Sequence, residues 1–221
     1  QPSIAVLPFV NMSDDASNEF FSDGIAEELL NLLAKFPDLR VISRSSAFSF
    51  KGKGLEIPEI ARRLNVAHIL EGSVRKAGNQ VRITAQLIDA RADTHLWSET
   101  YDRELNDIFA IQDEITAAIG GALKIQLLHD DAAGAAPPPR EGVAPEAYEA
   151  FLVGRQLTHK RGRQNLEAAL QHVQRSLELD DDYAPAHAQM AIVLVLLKHG
   201  PGTYGDLTLT EVLERATPHI E

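Results

Sequence analysis

The chain has 221 residues, 44% hydrophobic and 24% charged, with a formal net charge of −11. That charge argues against a nucleic-acid-binding surface, which needs clustered Lys and Arg, and no apolar stretch approaches the roughly 18 residues of a membrane span. With no cysteine, disulfides, thiolate nucleophiles and zinc–thiolate sites are excluded.

In chain order, Ile4-Ala5-Val6-Leu7-Pro8-Phe9-Val10 reads as a short buried strand, with Pro8 ending its pairing or placing it at an edge. Asn11 to Asn18 is loop-like. Phe21, Ile25, Leu29, Leu32, Leu33 and Phe36 recur at helical spacing, and Pro37 ends that helix. Leu39 to Arg44 reads as a second strand and Lys51-Gly52-Lys53-Gly54 as a loop. Ile57, Ile60, Ala61 and Leu64 predict a short helix with Pro58 in its first turn and Asn65 as C-cap. Ala67 to Lys76 is a third strand, and Ala77-Gly78-Asn79-Gln80 supplies a turn. Val81, Ile83, Ala85 and Leu87 alternate with polar residues as a fourth strand. Arg91-Ala92-Asp93 turns into a fifth, Thr94 to Tyr101. Ile108, Ile111, Ile115, Ile119 and Leu123 line a long helix, weakened by Gly120-Gly121. The predicted fold is α/β: a mixed sheet of about five strands with packed helices over residues 1–128.

Residues 129–145 read as an Ala/Pro-rich linker, with Pro137-Pro138-Pro139 as a semi-rigid spacer. Residues 146–221 are all-α, with helices near Pro145–His159, Asn165–Leu179 and Ala184–Lys198 and a fourth from about Leu209. Gly154 and Ala169 stand where paired helices approach closely. The step from Gly154 to Ala191 is 37 residues, near the repeat of about 34 in tetratricopeptide arrays. Asp181 stands where that repeat usually has Pro, and Ser176 where it usually has Ala. The basic run His159-Lys160-Arg161-Gly162-Arg163 reads as a solvated connection between helices. The chain opens at Gln1 without an initiator Met and stops within a helical pattern, so a fragment of a longer protein is expected.

Ile4-Ala5-Val6-Leu7-Pro8-Phe9, Phe21-Ser22-Asp23-Gly24-Ile25, Leu70-Glu71-Gly72-Ser73-Val74, Gln86-Leu87-Ile88-Asp89-Ala90, Leu96-Trp97-Ser98-Glu99 and Ile111-Gln112-Asp113-Glu114-Ile115 together resemble the TolB amino-terminal-like (FlgO/CsgG-related) α/β domain. In that family the domain often precedes tetratricopeptide repeats. Upstream, family members carry a class III adenylate or guanylate cyclase domain or a winged-helix DNA-binding domain. The resemblance implies a regulatory or sensory half in the cytoplasm, or in the periplasm if a membrane anchor precedes it. It implies no catalytic residues.

Glu71-Gly72-Ser73 puts a carboxylate where backbone approaches closely. It grips a ligand amine or a partner's N–H, or it makes a structural hydrogen bond to a neighbouring loop or helix terminus, which is the leading expectation. Ser22-Asp23-Gly24 and Glu27-Glu28 suit helix capping and dipole balance. Asp14-Asp15 and Asn18-Glu19 miss the spacing of a calcium loop, and the eight histidines show no H-E-x-x-H. No P-loop, G-x-G-x-x-G or G-x-S-x-G is present, so no metal, cofactor or catalytic residue is predicted. Trp97 is an interface anchor or is covered by the last helix of the α/β part. Trp97, Glu71, Tyr148, Arg155 and His187 are the candidate interaction residues. The expected partner is a protein or peptide held in the helical groove, with no nucleic acid and no membrane segment. The expected function is a non-catalytic regulatory module of a bacterial signalling protein, a cyclase by preference or a transcriptional regulator. An envelope-associated scaffold and a small hydrolase using Glu71 or Asp23 are the alternatives.

Overall fold

The computed structural model describes residues 2–123 and 143–220. It divides into two compact units, Gln1–Pro139 and Arg140–Glu221. Most of the expected linker, residues 129–142, lies outside the described residues, and Pro145 is already the first residue of a helix.

The first unit runs β1 (Ser3–Val6), β2 (Val10–Asn11), α1 (Glu19–Leu33), β3 (Arg40–Val41), α2 (Arg44–Phe48), α3 (Ile57–Leu64), β4 (His68–Ala77), β5 (Gln80–Asp89), β6 (Thr94–Glu104) and α4 (Ile108–Ala122). The sheet order is β3-β1-β4-β5-β6, with β2 also paired to β4. β1 runs parallel to β3 and β4, whereas β4, β5 and β6 form an antiparallel meander. The sheet has six strands, one more than expected, because Leu7-Pro8-Phe9 splits the first apolar run into β1 and β2. Pro8 has no N–H for the ladder. The second strand is shorter than expected: Ser43 precedes α2, and Arg44 is a helical residue whose guanidinium stacks 4.3 Å from the Phe48 ring.

Alternation along the strands divides the core. Ala5, Leu7 and Ile69 pack with Ile60 and Ala61 of α3 on one face. The intervening residues Ile4, Val6, Leu70 and Val74 lie on the other face, where α1 packs on β1, and all four are buried. Asn65 caps α3 in the left-handed conformation, with φ 53°. Gly78, at φ 58°, opens the two-residue turn between β4 and β5, the position where a hairpin turn of this kind needs glycine.

The second unit contains α5 (Pro145–Lys160), α6 (Arg163–Leu179), α7 (Ala184–Leu196) and α8 (Leu209–Ala216). α5 and α6 pack as a hairpin across Gly154, where an added Cβ would stand 2.6 Å from Val173 Cγ2. Buried hydrogen bonds tie the helices: Ser176 Oγ donates to the Ala147 carbonyl (2.7 Å) and Gln189 Nε2 to Thr158 Oγ1 (2.8 Å). Phe151 and Tyr183 meet edge to face at 5.3 Å. In the basic connection, Arg163 pairs with Glu167 and Asp206.

Candidate functional site

The break at Pro8 does more than end a strand. Between β1 and β4 the paired residues differ by 64 in number (Ile4 with His68), but between β2 and β4 by 63 (Val10 with Ser73). One extra residue is therefore taken up in Leu7-Pro8-Phe9, opposite Glu71-Gly72. Bulges of this sort re-aim side chains and interrupt pairing. The ladder resumes on either side, with Leu7 N–H donating to the Leu70 carbonyl (2.9 Å) and Met12 N–H to the Val74 carbonyl (2.8 Å).

The connections place this bulge at a crevice. β1 leads through α1 to β3 on one side, and β3 returns through α2 and α3 to β4 on the other. In open α/β sheets, ligands occupy the carboxyl ends of strands where connections diverge in this way. A cavity of about 530 Å³ lies there. Leu7, Phe50, Leu55, Ile57 and Ile60 form its apolar wall, and Glu71, Ser73 and Gln86 its polar wall. Glu71 and Gln86 are paired across β4 and β5, so both point to the same face.

Glu71 is half-buried, and burial pushes its carboxyl above the usual carboxylate range, with His95 partly opposing and Asp93 reinforcing the shift. No structural hydrogen bond to a loop or helix terminus holds Glu71 among the described residues, contrary to the leading expectation. Glu19 and Lys51 form the rim. Lys51 is engaged by Asp23, at 2.5 Å, and by Glu19. Desolvation raises Asp23 despite that ammonium. Arg44 Nε reaches Glu27 at 2.7 Å. The acidic stripe of α1 is thus anchored to the segment 44–51, a role beyond capping and dipole balance that local sequence did not reveal.

A second, larger cleft of about 930 Å³ lies at the opposite strand ends, near Arg40, Arg62 and Arg91. There Arg40 donates to the Asn65 carbonyl at the C-terminus of α3, where the helix dipole disfavours anions.

The other candidate residues do not gather at the crevice. Trp97 is half-buried and pairs with Leu87, on the sheet face opposite Glu71. β6 carries its own bulge there, since Leu87 pairs with Trp97 and Ile88 with His95, leaving Leu96 unpaired. In the second unit Tyr148 is fully buried, so it is a core residue and not an interaction residue. A ring buried this fully contributes to packing rather than to an exposed surface. Arg155 is half-buried, 4.9 Å from the Phe151 ring. His187 Nδ1 lies 2.8 Å from His219 Nδ1, and its Nε2 lies 2.6 Å from the Asp181 carbonyl. No spacing rule foresaw that contact. No helix among the described residues is long and apolar enough to cross a membrane.

The family described as HilA/YgeH-like transcriptional regulator, second domain, matches residues 1–118. A Rhizobium meliloti (strain 1021) protein named "Putative adenylate cyclase 3" is 44% identical over 193 residues, covering 87% of this chain and 32% of that protein. The chain therefore spans about a third of the length of this relative. Among solved structures, TolB from Acinetobacter baumannii aligns with 55% of this chain and 28% of its own, at 16% identity and a TM-score of 0.39. Lipoprotein GNA1162 from Neisseria meningitidis aligns with 57% of this chain and 99% of its own, at 19% identity and a TM-score of 0.41.

Proposed function

The chain belongs to the HilA/YgeH-like transcriptional regulator second-domain family, and from that premise we propose that it is the non-catalytic regulatory half of a bacterial signalling protein. The observation that carries this reading is the sharing of one module. The α/β part matches a domain of a transcriptional regulator family, and 193 residues of the chain align with a third of a protein named "Putative adenylate cyclase 3". What two such different outputs hold in common is not the output chemistry itself.

The crevice at Glu71 supports the reading, since a regulatory domain needs a place where a signal binds. The helical unit is read as a tetratricopeptide-like array that holds a protein or peptide, with Arg155 and His187 near its surface. A cytoplasmic module is the reading that goes with an output acting on ATP or on a promoter. In the full protein, occupancy of the α/β unit or the helical unit sets the activity of the attached output, a cyclase by preference.

The test compares cyclic-nucleotide formation by the full gene product with that of a version lacking residues 1–221, alongside the purified chain. The proposal expects no nucleotide turnover by the purified chain and a changed set-point in the deletion. Turnover by the chain alone, or an unaltered output after deletion, contradicts it.

A further inference from the structure

We propose that the crevice between β1 and β4 binds a small organic cation, a primary amine or guanidinium on an apolar body, with the Glu71 carboxylate as its counter-ion. The assignment deepens the regulatory reading and rests on it only for what binding does.

Three observations converge. The cavity, at about 530 Å³, falls in the range of small-molecule sites, roughly 300–1,000 Å³. It has one apolar wall and one polar wall, the usual make-up of such a site. The polar wall carries the Glu71 carboxylate, the Ser73 hydroxyl and the Gln86 amide. None of these three side chains makes a hydrogen bond or ion pair among the described residues. A half-buried carboxylate left without a partner costs the fold, and the bulge at Leu7-Pro8-Phe9 is what opens the space in front of it.

The sign of the charge selects the ligand. Facing the cavity and its rim are Glu71, Glu19 and Lys51, with Asp23 bound to the same ammonium. Asp93 and His95 act on Glu71 from the start of β6. Lys51 is already matched by two carboxylates, so the field at Glu71 attracts cations and repels anions. An ammonium brings three donors, and three acceptor-bearing side chains line the wall. The apolar wall of Phe50, Leu55 and Ile57 then takes the hydrocarbon body. The cavity is large enough for a whole small molecule, which favours a free amine over the tip of a partner's lysine.

The test is calorimetric titration of the purified chain at pH 7.5 with phenethylamine, with neutral 2-phenylethanol, and with a capped peptide bearing one central lysine. The expected result is saturable binding of phenethylamine and binding of the alcohol weaker by about tenfold or more, the size of one charge-assisted contact. Glu71→Gln should lose the same factor, and Gln86→Leu should weaken binding less. Trp97 fluorescence and the far-ultraviolet spectrum show that the variants are folded. Equal binding of amine and alcohol, undiminished binding by Glu71→Gln, or no binding of phenethylamine overturns the proposal. Binding of the peptide alone overturns its free-ligand form. These outcomes are read without any output domain, so they stand apart from failure of the regulatory reading.

Discussion

Replacing Gly72 by alanine puts a methyl group where the sheet has no room for one. A Cβ on Gly72 would stand 2.3 Å from the Thr84 carbonyl oxygen and 2.7 and 2.8 Å from two ring atoms of Phe9. The first obstacle is backbone of the paired strand β5, and the second is a fully buried ring. Neither moves without disturbing the strand pairing or the α1–α4 core. Overpacking of this kind costs about 1–3 kcal/mol, and the fixed carbonyl puts Gly72 at the upper end. Alanine recovers about 0.5–1 kcal/mol of strand conformational entropy relative to glycine. The net loss is about 2 kcal/mol. For a unit of this size that is a fall of about 8 °C in Tm, or about 1 M in the urea midpoint for a slope of about 2 kcal/mol/M. Trp97 is the single tryptophan and lies on β6, so its fluorescence reports the α/β unit by itself. An unchanged urea midpoint with an unchanged slope would refute the argument that Gly72 is required by close approach.

The helical unit offers the parallel case. Gly154→Ala meets Val173 Cγ2 at 2.6 Å and the Ala169 carbonyl at 3.2 Å, but gains about 1 kcal/mol of helix propensity. The expected net loss is about 1 kcal/mol, reversed in part by Val173→Ala. Thermal melting at 222 nm checks this, and additive effects of the two changes would contradict contact across the helix pair. Glu71→Gln should raise the Tm of the α/β unit at pH 7. The folded carboxyl titrates above its unfolded value, so its favourable contribution is present at pH below that unfolded value and lost as pH rises through the folded one. The advantage of the variant should therefore shrink toward pH 4, and a lower Tm for the variant at pH 7 would point to a structural role instead. Burial, then the neighbouring His187, holds His219 below the ordinary histidine value. The contribution of His219 to stability is full above about pH 6.5 and declines as pH falls through its folded value. His219→Gln should flatten the helical unit's loss of Tm between pH 7.5 and 5.5, and an unaltered profile would remove the pair from the account.

Local pattern carried much of the architecture. The spacing of Phe21, Ile25 and Leu29 fixed α1, Asn65 marked the end of α3, and Gly78 with Asn79 marked the β4–β5 hairpin. The four helices after Pro145 begin close to where their apolar periods begin. What escaped was long-range. Pro8 was readable as a break, but its one-residue register shift against β4 depends on which strand lies opposite. Arg44 reads as the end of a strand and Lys51 as a loop cation until the segment 44–51 brings them to the carboxylates of α1. His187 and His219 are 32 residues apart, and nothing periodic links them. Tyr148 carries the hydroxyl of an interface residue, yet helix packing closes over it. Glu71 stood out through its place beside Gly72 in a strand; the neighbouring bulge and the lack of a bonding partner, on which the proposed amine site rests, depend on long-range pairing.

The most direct measurement is the output of the full gene product across a phenethylamine titration, for the wild type and for Glu71→Gln. The account predicts that wild-type output shifts with a midpoint at the binding constant of the purified chain, and that the variant stays flat over the same range. Wild-type output that does not move while the amine binds, or a response that Glu71→Gln leaves intact, would contradict it.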